Sequence, residues 1–422
     1  MYNDLETAPR SRIRAHQLAR LNDLLAALRD GPHLYGRKLR IPAGRVEWDA
    51  FQELPFTTKG ELVDDQRRHP PYGTLGTAPD DSYIAYHQTS GTRGSPMAVL
   101  DTRATWDWWS ECWQYVYDAA GVTPADRVFL PFSFGPFIGF WSAFAAAQRL
   151  GALAIPGGGM DSKGRLALLR RCRATVLVCT PTYALHLGEV ALAEGINLRD
   201  SDVRVTIHAG EPGASVPSVR KRIEDTWGAA AFDHAGASEV GAFAYACHVR
   251  DGVHVNEAEF VAEVLEPGGS APVPPGEVGE LVLTNLGRGA WPVVRYRTGD
   301  LVKVGEGSCA CGRTFLKLPG GIVGRADDLI IVRGINVYPS AIESIVRGFD
   351  VPEFRIVRST RHDMEEVAVE VESSPEVAAA IEIAFREQLS LRIPTSAVAA
   401  GSLPRFELKA RRVVDNRQTG GR

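Results

Sequence analysis

The stretch from Thr89 to Pro96 reads Thr-Ser-Gly-Thr-Arg-Gly-Ser-Pro and concentrates hydroxyl side chains, two glycines and one arginine. Apolar segments typical of strands flank it at 83–86 and 97–100. A tight turn of this composition offers backbone N–H groups and hydroxyls to an anion, as a phosphate cradle does. It is not a Walker A loop, because that motif's lysine is missing and no helix opens directly after it. A polar hairpin turn is the alternative interpretation.

The composition is that of a soluble globular chain with room for two or three domains. It has 422 residues, of which 45% are hydrophobic and 23% are charged. The net charge of −4 gives no electrostatic reason to expect nucleic acid or an acidic membrane as a partner. No apolar run approaches the roughly 18 residues that span a membrane, and the N-terminus lacks a signal-peptide pattern. We therefore expect a cytoplasmic protein whose six cysteines are reduced unless they bind metal.

Buried strands alternate with helices between residues 127 and 232, which predicts parallel β-α-β units. Strands are predicted at 127–130, 153–155, 175–179 and 203–207, and helices at 15–30, 141–150, 166–172, 183–193 and 216–227. From 255 to 304 alternating strands favour a small antiparallel sheet or barrel. We predict an α/β protein with a large N-terminal domain of parallel β-α-β sheets plus a small β-rich subdomain, and a small α+β C-terminal domain.

Further polar segments follow the loop in a fixed order. They are 233–239 (Asp-His-Ala-Gly-Ala-Ser-Glu), 296–300 (Tyr-Arg-Thr-Gly-Asp), 324–328 (Gly-Arg-Ala-Asp-Asp) and 333–339 (Arg-Gly-Ile-Asn-Val-Tyr-Pro). Each is weak alone, because such residues mark turns more often than sites. With the loop and a lysine near the C-terminus, they resemble the adenylate-forming enzyme superfamily, most closely the phenylacetate–coenzyme A ligase family. Segments 54–59 and 309–314 are also similar, so the resemblance covers essentially the whole chain.

The resemblance implies an AMP-forming acid–thiol ligase, which joins a carboxylate to the α-phosphate of ATP and releases pyrophosphate. A thiol, usually that of coenzyme A, then attacks the acyl-adenylate. The β- and γ-phosphates would be held by Thr89, Ser90, Gly91, Thr92, Gly94 and Ser95. Arg93 replaces a Thr or Ser usual in the family, and would add a cation to this catalytic loop. Glu239 would hold Mg²⁺, which spreads the charge of the triphosphate.

The family's catalytic lysine corresponds to Lys409, which would bridge the substrate carboxylate and the α-phosphate as negative charge develops. A solvated lysine in a basic tail is the alternative. Glu407-Leu408 replace the Ser-Gly usually found before it.

The rest of the nucleotide site is also implied by the resemblance. Asp300 would accept hydrogen bonds from the ribose hydroxyls, and Arg325 would add a charged donor beside it. The adenine pocket would be formed by Gly210, Glu211, Pro212, Asp233, His234, Ala235, Gly236 and Ser238. Ala235 replaces a common aromatic residue, which removes a stacking surface and enlarges the pocket.

Aromatic residues follow the predicted strand at 127–130 and favour an acyl pocket. It would be lined by Phe132, Phe134, Phe137, Trp141, His208, Ala235 and Gly236. Aromatic walls suit a flat ring, so we expect an aryl or arylalkyl carboxylic acid, such as a hydroxy- or aminobenzoate. Ordinary core packing of the phenylalanines is the alternative.

Glycines before residue 324 place a domain boundary there. Residues 1–323 would form the adenylation domain, with a zinc-bearing β-rich part at about 240–318, and 329–422 the mobile C-terminal lid. The hinge would be 324–328, with Asp327 at its pivot, because the family's small domain rotates between adenylation and thioesterification.

A metal site is predicted from four residues. Cys309 and Cys311 stand on a turn, with Cys247 and His254 upstream. Related ligases have a Cys and a His at this spacing, which favours His254 over His248. A Cys₃His set is tetrahedral and closed, so the zinc would be structural. Four unrelated residues are the alternative.

Other functions stay open at this point. The chain could pass the activated acyl group to a carrier-protein thiol, an amine or a small inorganic nucleophile, since no residue specific for coenzyme A is identified. It could also be a non-catalytic nucleotide-binding module, although Glu239, Asp300, Arg325 and Lys409 argue against that. The sequence determines neither the acid nor whether the chain forms a homodimer.

Overall fold

The computed structural model describes residues 1–89, 96–326, 330–332, 335–361, 364–389, 391–406 and 412–416. Its helices are α1 (Arg10–Leu28), α2 (Leu34–Lys38), α3 (Trp48–Gln52), α4 (Lys59–Arg68), α5 (Arg103–Ala119), α6 (Trp141–Leu150), α7 (Ser162–Arg171), α8 (Pro181–Ala193), α9 (Pro217–Trp227), α10 (Pro339–Val346) and α11 (Pro375–Leu389). Short 3-10 turns lie at Asp4–Thr7, Asp80–Ser82 and Leu198–Asp200.

The described strands are more numerous than the helices. They are β1 (Tyr83–Gln88), β2 (Ala98–Thr102), β3 (Arg127–Leu130), β4 (Leu153–Pro156), β5 (Val176–Cys179), β6 (Val205–His208), β7 (Ala230–Ala237), β8 (Gly241–Tyr245), β9 (Gly252–Val255), β10 (Phe260–Leu265), β11 (Val278–Asn285), β12 (Tyr296–Lys303), β13 (Lys317–Pro319), β14 (Ile322–Arg325), β15 (Ile330–Val332), β16 (Ile335–Val337), β17 (Phe354–Arg361), β18 (Met364–Glu372), β19 (Thr395–Val398) and β20 (Val413–Asp415).

An eight-stranded sheet in the order β13-β9-β8-β7-β6-β5-β3-β4 forms the centre of the N-terminal part. Strands β4, β3, β5, β6 and β7 run parallel, and helices α6 to α9 connect them, which confirms the predicted β-α-β alternation. Strands β5 and β6 are buried along their whole length. This burial explains their continuous apolar runs, because helices cover both faces of a parallel sheet.

A four-stranded antiparallel sheet, β10-β11-β12-β14, confirms the antiparallel pattern predicted for 255–304. The β-rich part predicted at 240–318 is divided between the two sheets, however. Strands β8, β9 and β13 extend the large sheet beyond β7, and each of them pairs antiparallel with its neighbour.

Helix α5 is not predicted by the sequence pattern. It begins after Thr102, whose hydroxyl accepts the Thr105 N–H at 3.3 Å. From Cys112 to Tyr117 every residue is buried, so the helix shows no polar face along this stretch. A stretch that is buried on every side lacks the alternation of buried and exposed residues that marks an amphipathic helix.

The C-terminal part is a separate small α+β domain. Its sheet has the order β19-β18-β17-β20, and its own hydrophobic core includes Val369, Ile381 and Phe385. The predicted pivot Asp327 lies outside the described residues. Among the helices that the structure describes, none has both the length and the apolar character needed to cross a membrane.

The two parts contact each other beside α8 and α9. Nη2 of Arg412 lies 3.2 Å from Oγ1 of Thr182, and Arg222 donates to the Val351 carbonyl at 3.2 Å. Arg405 lies 3.8 Å from the Glu189 carboxylate. Arginines therefore dominate the described polar contacts of this interface.

Candidate active site

Strands β1 and β2 pair antiparallel and lead into and out of the hydroxyl-rich loop. Thr89 is buried and closes the base of that loop, because its N–H donates to the Met97 carbonyl at 2.9 Å. Its hydroxyl accepts the Met97 N–H at 3.1 Å. The predicted phosphate-binding residues Ser90, Gly91, Thr92, Arg93, Gly94 and Ser95 lie outside the described residues.

Glu239 lies on the turn that joins β7 to β8 and is only 6% exposed. Its Oε1 accepts the Tyr296 hydroxyl at 2.7 Å and lies 3.5 Å from Nζ of Lys59. Among the described residues, both contacts fall on Oε1, so Oε2 is available to a further ligand. One carboxylate joined by substrate phosphates is a donor set that Mg²⁺ accepts, so the arrangement fits the predicted role.

Lys59 contacts the predicted magnesium ligand Glu239, and the sequence pattern does not predict this contact. Lys59 belongs to segment 54–59, which the resemblance covers without a role for the lysine. Thr57 pairs with strand β12 at Tyr296, and the hydroxyl of Thr58 caps the first turn of α4. This pairing brings Lys59 and Tyr296 to the same carboxylate and places a cation beside it.

Asp300 and Arg325 face each other across β12 and β14, where their Cα atoms are register partners. Nη1 of Arg325 donates to Oδ1 of Asp300 at 2.7 Å and to the Thr298 carbonyl at 3.0 Å. Gly299, which precedes Asp300 in the chain, has a φ of +73°. A Cβ at this position would lie 3.0 Å from Nη2 of Arg325. The two residues predicted for the ribose are therefore in direct contact.

Glu211 contacts the N-terminus of α8. Its Oε1 accepts the N–H of Thr182 at 2.8 Å. Gly210 before it has a φ of +95°, a left-handed conformation that glycine adopts without strain. The hydrogen bond of Glu211 therefore holds the predicted Gly-Glu-Pro segment against the start of α8.

Asp233 lies in the middle of β7, between the buried residues Phe232 and His234. Its carboxylate accepts the N–H groups of Ser215 and His234, both at 3.2 Å. Burial raises the pKa of this carboxyl to about 6, although these hydrogen bonds act in the opposite direction.

His234 is buried next to Trp113, at 4.3 Å between ring centroids. Its Nδ1 lies 2.8 Å from the Ala244 carbonyl, which can only accept, so Nδ1 carries the proton. Burial lowers the pKa of the imidazole to about 4, so Nε2 presents a lone pair at neutral pH. A Cβ on Gly236 would lie 3.3 Å from that Nε2, and Ala235 is also buried there.

The aromatic segment after β3 is tied to the base of the loop. Gln88 donates its N–H to the Pro136 carbonyl at 2.8 Å and bridges to Phe137. Phe134 packs edge-on against Trp141 at 4.8 Å between ring centroids. Phe132 also packs against Phe134 and is buried, whereas Phe134, Phe137 and Trp141 keep part of their surface exposed.

His208 has no exposed surface in the structure. Its Nδ1 donates to the Cys179 carbonyl at 3.2 Å, and its Nε2 accepts the Thr206 hydroxyl at 2.8 Å. Both ring nitrogens are thus used by the protein, and burial lowers the pKa of the imidazole to about 4. A polar contact from His208 to a substrate would require one of these bonds to break.

Cys247, His254, Cys309 and Cys311 are all buried, and their ligand atoms lie within 4.8 Å of one another. The Sγ atoms of Cys247 and Cys309 are 3.8 Å apart, as expected for two sulfurs at about 2.3 Å from a tetrahedral zinc. Nε2 of His254 lies 3.5 Å from Sγ of Cys311, and its Nδ1 donates to the Phe315 carbonyl at 3.1 Å. This tautomer leaves Nε2 free to bind metal. His248 is exposed, so the donor set is the one that includes His254.

The predicted catalytic residue Lys409 lies outside the described residues. Three residues later, Arg412 is 8% exposed and forms ion pairs with Glu353 and Glu343 at 2.6 and 3.0 Å. Its contact with Thr182, whose N–H binds Glu211, places Arg412 beside the Gly-Glu-Pro segment.

Two family models match the chain. The model for the AMP-binding enzyme covers residues 41–287, and the model for the AMP-binding enzyme C-terminal domain covers residues 334–417. The phenylacetate-coenzyme A ligase of Escherichia coli is 31% identical to this chain, and the matched region covers 99% of this chain and 98% of that protein. The enzyme of the same name from Thermus thermophilus is 32% identical over 380 residues, covering 88% and 84%.

The fold is similar to that of 2-hydroxyisobutyryl-CoA ligase. Its structure in the postadenylation state, in complex with R3-HIB-AMP, gives a TM-score of 0.91 at 31% identity, covering 97% of this chain and 91% of that one. The same ligase in the thioesterification state, with 2-HIB-AMP and CoA, gives a TM-score of 0.75 at 31% identity, covering 98% and 91%. The arrangement of the two parts of this chain is therefore more similar to that ligase's postadenylation structure than to its thioesterification structure.

Proposed function

Because the chain belongs to the AMP-binding enzyme family and is an AMP-forming acid–thiol ligase, we propose that it activates an aryl or arylalkyl carboxylic acid with ATP and transfers the acyl group to coenzyme A. The observation that carries the proposal is the link between the aromatic segment and the loop. Through Gln88, residues 136 and 137 are held directly beside the residues that enter the phosphate-binding loop. An acid bound at this segment has its carboxylate near the triphosphate, as in-line attack on the α-phosphate requires.

An aromatic acid is supported by the partly exposed rings of Phe134, Phe137 and Trp141. Edge-to-face packing fixes Phe134 and Trp141, so their remaining surface is a rigid apolar wall for a flat ring. The lone pair on Nε2 of His234 accepts a hydrogen bond, which suits a hydroxyl or amino substituent. Three curated relatives that are 30 to 32% identical over 88 to 99% of this chain are phenylacetate-coenzyme A ligases, which supports an arylalkyl acid.

A small branched hydroxy acid is the second candidate. It is favoured by the TM-score of 0.91 with 2-hydroxyisobutyryl-CoA ligase at 31% identity, the same level as the phenylacetate-coenzyme A ligases. The Nε2 lone pair of His234 would serve the 2-hydroxyl of such an acid equally well.

Coenzyme A is the proposed acceptor because the relatives above are all named as ligases of coenzyme A. A carrier-protein thiol, an amine or a small inorganic nucleophile is the alternative, and product analysis separates them. Glu239 would hold Mg²⁺ with the triphosphate, Asp300 and Arg325 the ribose, and residues 210–212, 233–236 and 238 the adenine. The Cys₃His set would hold a structural zinc ion.

A panel of acids tests the substrate class. Initial rates of pyrophosphate release are measured with phenylacetate, hydroxy- and aminobenzoates, and 2-hydroxyisobutyrate at saturating ATP and coenzyme A. We expect kcat/KM for the best aromatic acid to exceed that for 2-hydroxyisobutyrate by about tenfold or more, since a poorly filled apolar pocket costs this much. A preference for 2-hydroxyisobutyrate would establish the second candidate instead.

A matched pair of variants ties that preference to the aromatic wall. Phe137→Leu is expected to lower kcat/KM for the aromatic acid by about tenfold, because a planar contact surface is lost. Phe349→Leu is the control, since Phe349 is a partly buried phenylalanine of the C-terminal core. If the two substitutions change kcat/KM for the aromatic acid equally, Phe137 does not line the acyl pocket.

A further inference from the structure

The turn that carries Glu239 is held from both sides by side chains of one other segment. The Ser238 carbonyl accepts Nη1 of Arg288 at 2.8 Å, and the Val240 carbonyl accepts Nδ2 of Asn285 at 3.0 Å. Tyr296, which follows in the same chain segment, binds the Glu239 carboxylate itself. The segment from 285 to 296 therefore fixes the carbonyl before Glu239, the carbonyl after it and its carboxylate.

Arg288 also links this turn to the strand that leaves the phosphate-binding loop. Its Nε and Nη2 donate to the two carboxylate oxygens of Asp101 on β2, at 2.9 and 2.7 Å. Neither side chain has any exposed surface, and the guanidinium lies 5.0 Å from the ring of Trp109. With the Ser238 carbonyl, three of its nitrogens are satisfied by groups in fixed positions.

An ion pair this deeply buried is weak evidence for a contribution to stability, because the desolvation of both charges offsets their attraction. What the pair supplies is geometry. A planar, bidentate guanidinium holds β2 and the Glu239 turn in one orientation, which a lysine cannot reproduce. Mg²⁺ demands near-octahedral oxygen ligands at short distances, so a carboxylate that shifts by a fraction of an ångström binds it less well.

We infer that Arg288 and Asn285 are positioning residues for the Glu239 carboxylate, with Asp101 coupling that carboxylate to the strand after the phosphate-binding loop. The inference rests on the proposed function in one respect, the role of Glu239 toward Mg²⁺. Arg288 acts through the carbonyl of Ser238, before Glu239, and Asn285 acts through the carbonyl of Val240, after it.

The test measures Mg²⁺ affinity directly. Mg²⁺ is titrated by calorimetry into the full-length protein saturated with a non-hydrolysable ATP analogue, with the analogue alone as blank. Arg288→Lys is expected to weaken Mg²⁺ binding by about tenfold or more, the usual cost of losing a group that orients a metal ligand. The Mg²⁺ concentration for half-maximal pyrophosphate release should rise equally, while KM for the acid stays within twofold.

The matched control is Arg204→Lys. Arg204 also binds a carboxylate through two nitrogens: its Nε and Nη2 donate to the oxygens of Asp126 at 3.2 and 2.6 Å, and Nη2 also donates to the Gly121 carbonyl at 2.8 Å. It precedes β6, at the opposite end of that strand from His208. We expect this variant to bind Mg²⁺ as the unmodified protein does, even where its thermal midpoint falls.

Unchanged Mg²⁺ affinity in folded Arg288→Lys protein would overturn the inference. If Arg288→Lys does not fold, the Mg²⁺ affinity of Asn285→Ala is measured instead. An unchanged Mg²⁺ affinity in that variant would also overturn the inference. Glu239→Gln separates this failure from one of the proposed function. If Glu239→Gln leaves Mg²⁺ affinity intact, the magnesium role of Glu239 is wrong and the inference falls with it.

Discussion

Lys409→Ala is expected to reduce acid-dependent pyrophosphate release by about 10²- to 10³-fold, because a preorganised cation stabilises the charge that develops on the α-phosphate. ATP binding should persist, since the loop, Glu239 and Asp300 are intact. Arg412, three residues later in the chain, contacts Thr182 beside the Gly-Glu-Pro segment, which supports a place for Lys409 at the nucleotide. Pyrophosphate release and calorimetric binding of ATP are the two measurements.

A second reaction sharpens the prediction for Lys409. Thioester formation from a supplied acyl-adenylate should proceed in Lys409→Ala at nearly the rate of the unmodified protein, because the adenylation step is bypassed. Lys163→Ala serves as control, since Lys163 is an exposed lysine paired with Glu194 at 2.5 Å. Adenylation within twofold of the unmodified rate in Lys409→Ala would exclude this residue.

Loss of the proposed zinc site should have the second largest effect. Cys309→Ser is expected to abolish the binding of one zinc ion per chain and to lower the thermal midpoint by about 10 °C or more. A structural zinc site contributes several kcal/mol, and about 1 kcal/mol moves the midpoint of such a domain by about 2–4 °C. The cost is high because the four ligands join β9, its preceding turn and the segment before β13.

Metal analysis and thermal unfolding measure the two effects. Cys172→Ser is the control, because Cys172 is a partly exposed thiol away from the cluster and should leave both zinc content and midpoint nearly unchanged. Protein purified without any zinc, or Cys309→Ser protein with full zinc content, would contradict the metal proposal.

Local patterns predicted most of the parallel sheet. The bounds of β3 and α6 agree with the predicted 127–130 and 141–150, because short apolar runs and a helical period are local signals. Helix α5 was not predicted because its burial depends on α6 and β8, which come later in the chain: Tyr117 donates to the Ala143 carbonyl, and Tyr115 packs against Tyr245. The Cys₃His set was predicted from spacing, and the structure brings its four ligand atoms together.

Contacts between distant segments could not be predicted. Lys59 reaches Glu239 because Thr57 pairs with β12, some 240 residues later in the chain. Arg288 reads as an ordinary loop arginine until it is seen between Asp101 and the Ser238 carbonyl. For His208, the position at the end of β6 suggests a residue that lines the pocket. In the structure, however, both of its ring nitrogens form hydrogen bonds within the protein.

The most direct test of the account is product stoichiometry with the preferred acid, ATP and Mg²⁺, measured with and without coenzyme A. We expect acid-dependent pyrophosphate and AMP in equal amounts, and one acyl-coenzyme A thioester per AMP when coenzyme A is present. Release of pyrophosphate with no thioester would contradict coenzyme A as the acceptor. Absence of pyrophosphate release with every acid of the panel would contradict the adenylation that the account rests on.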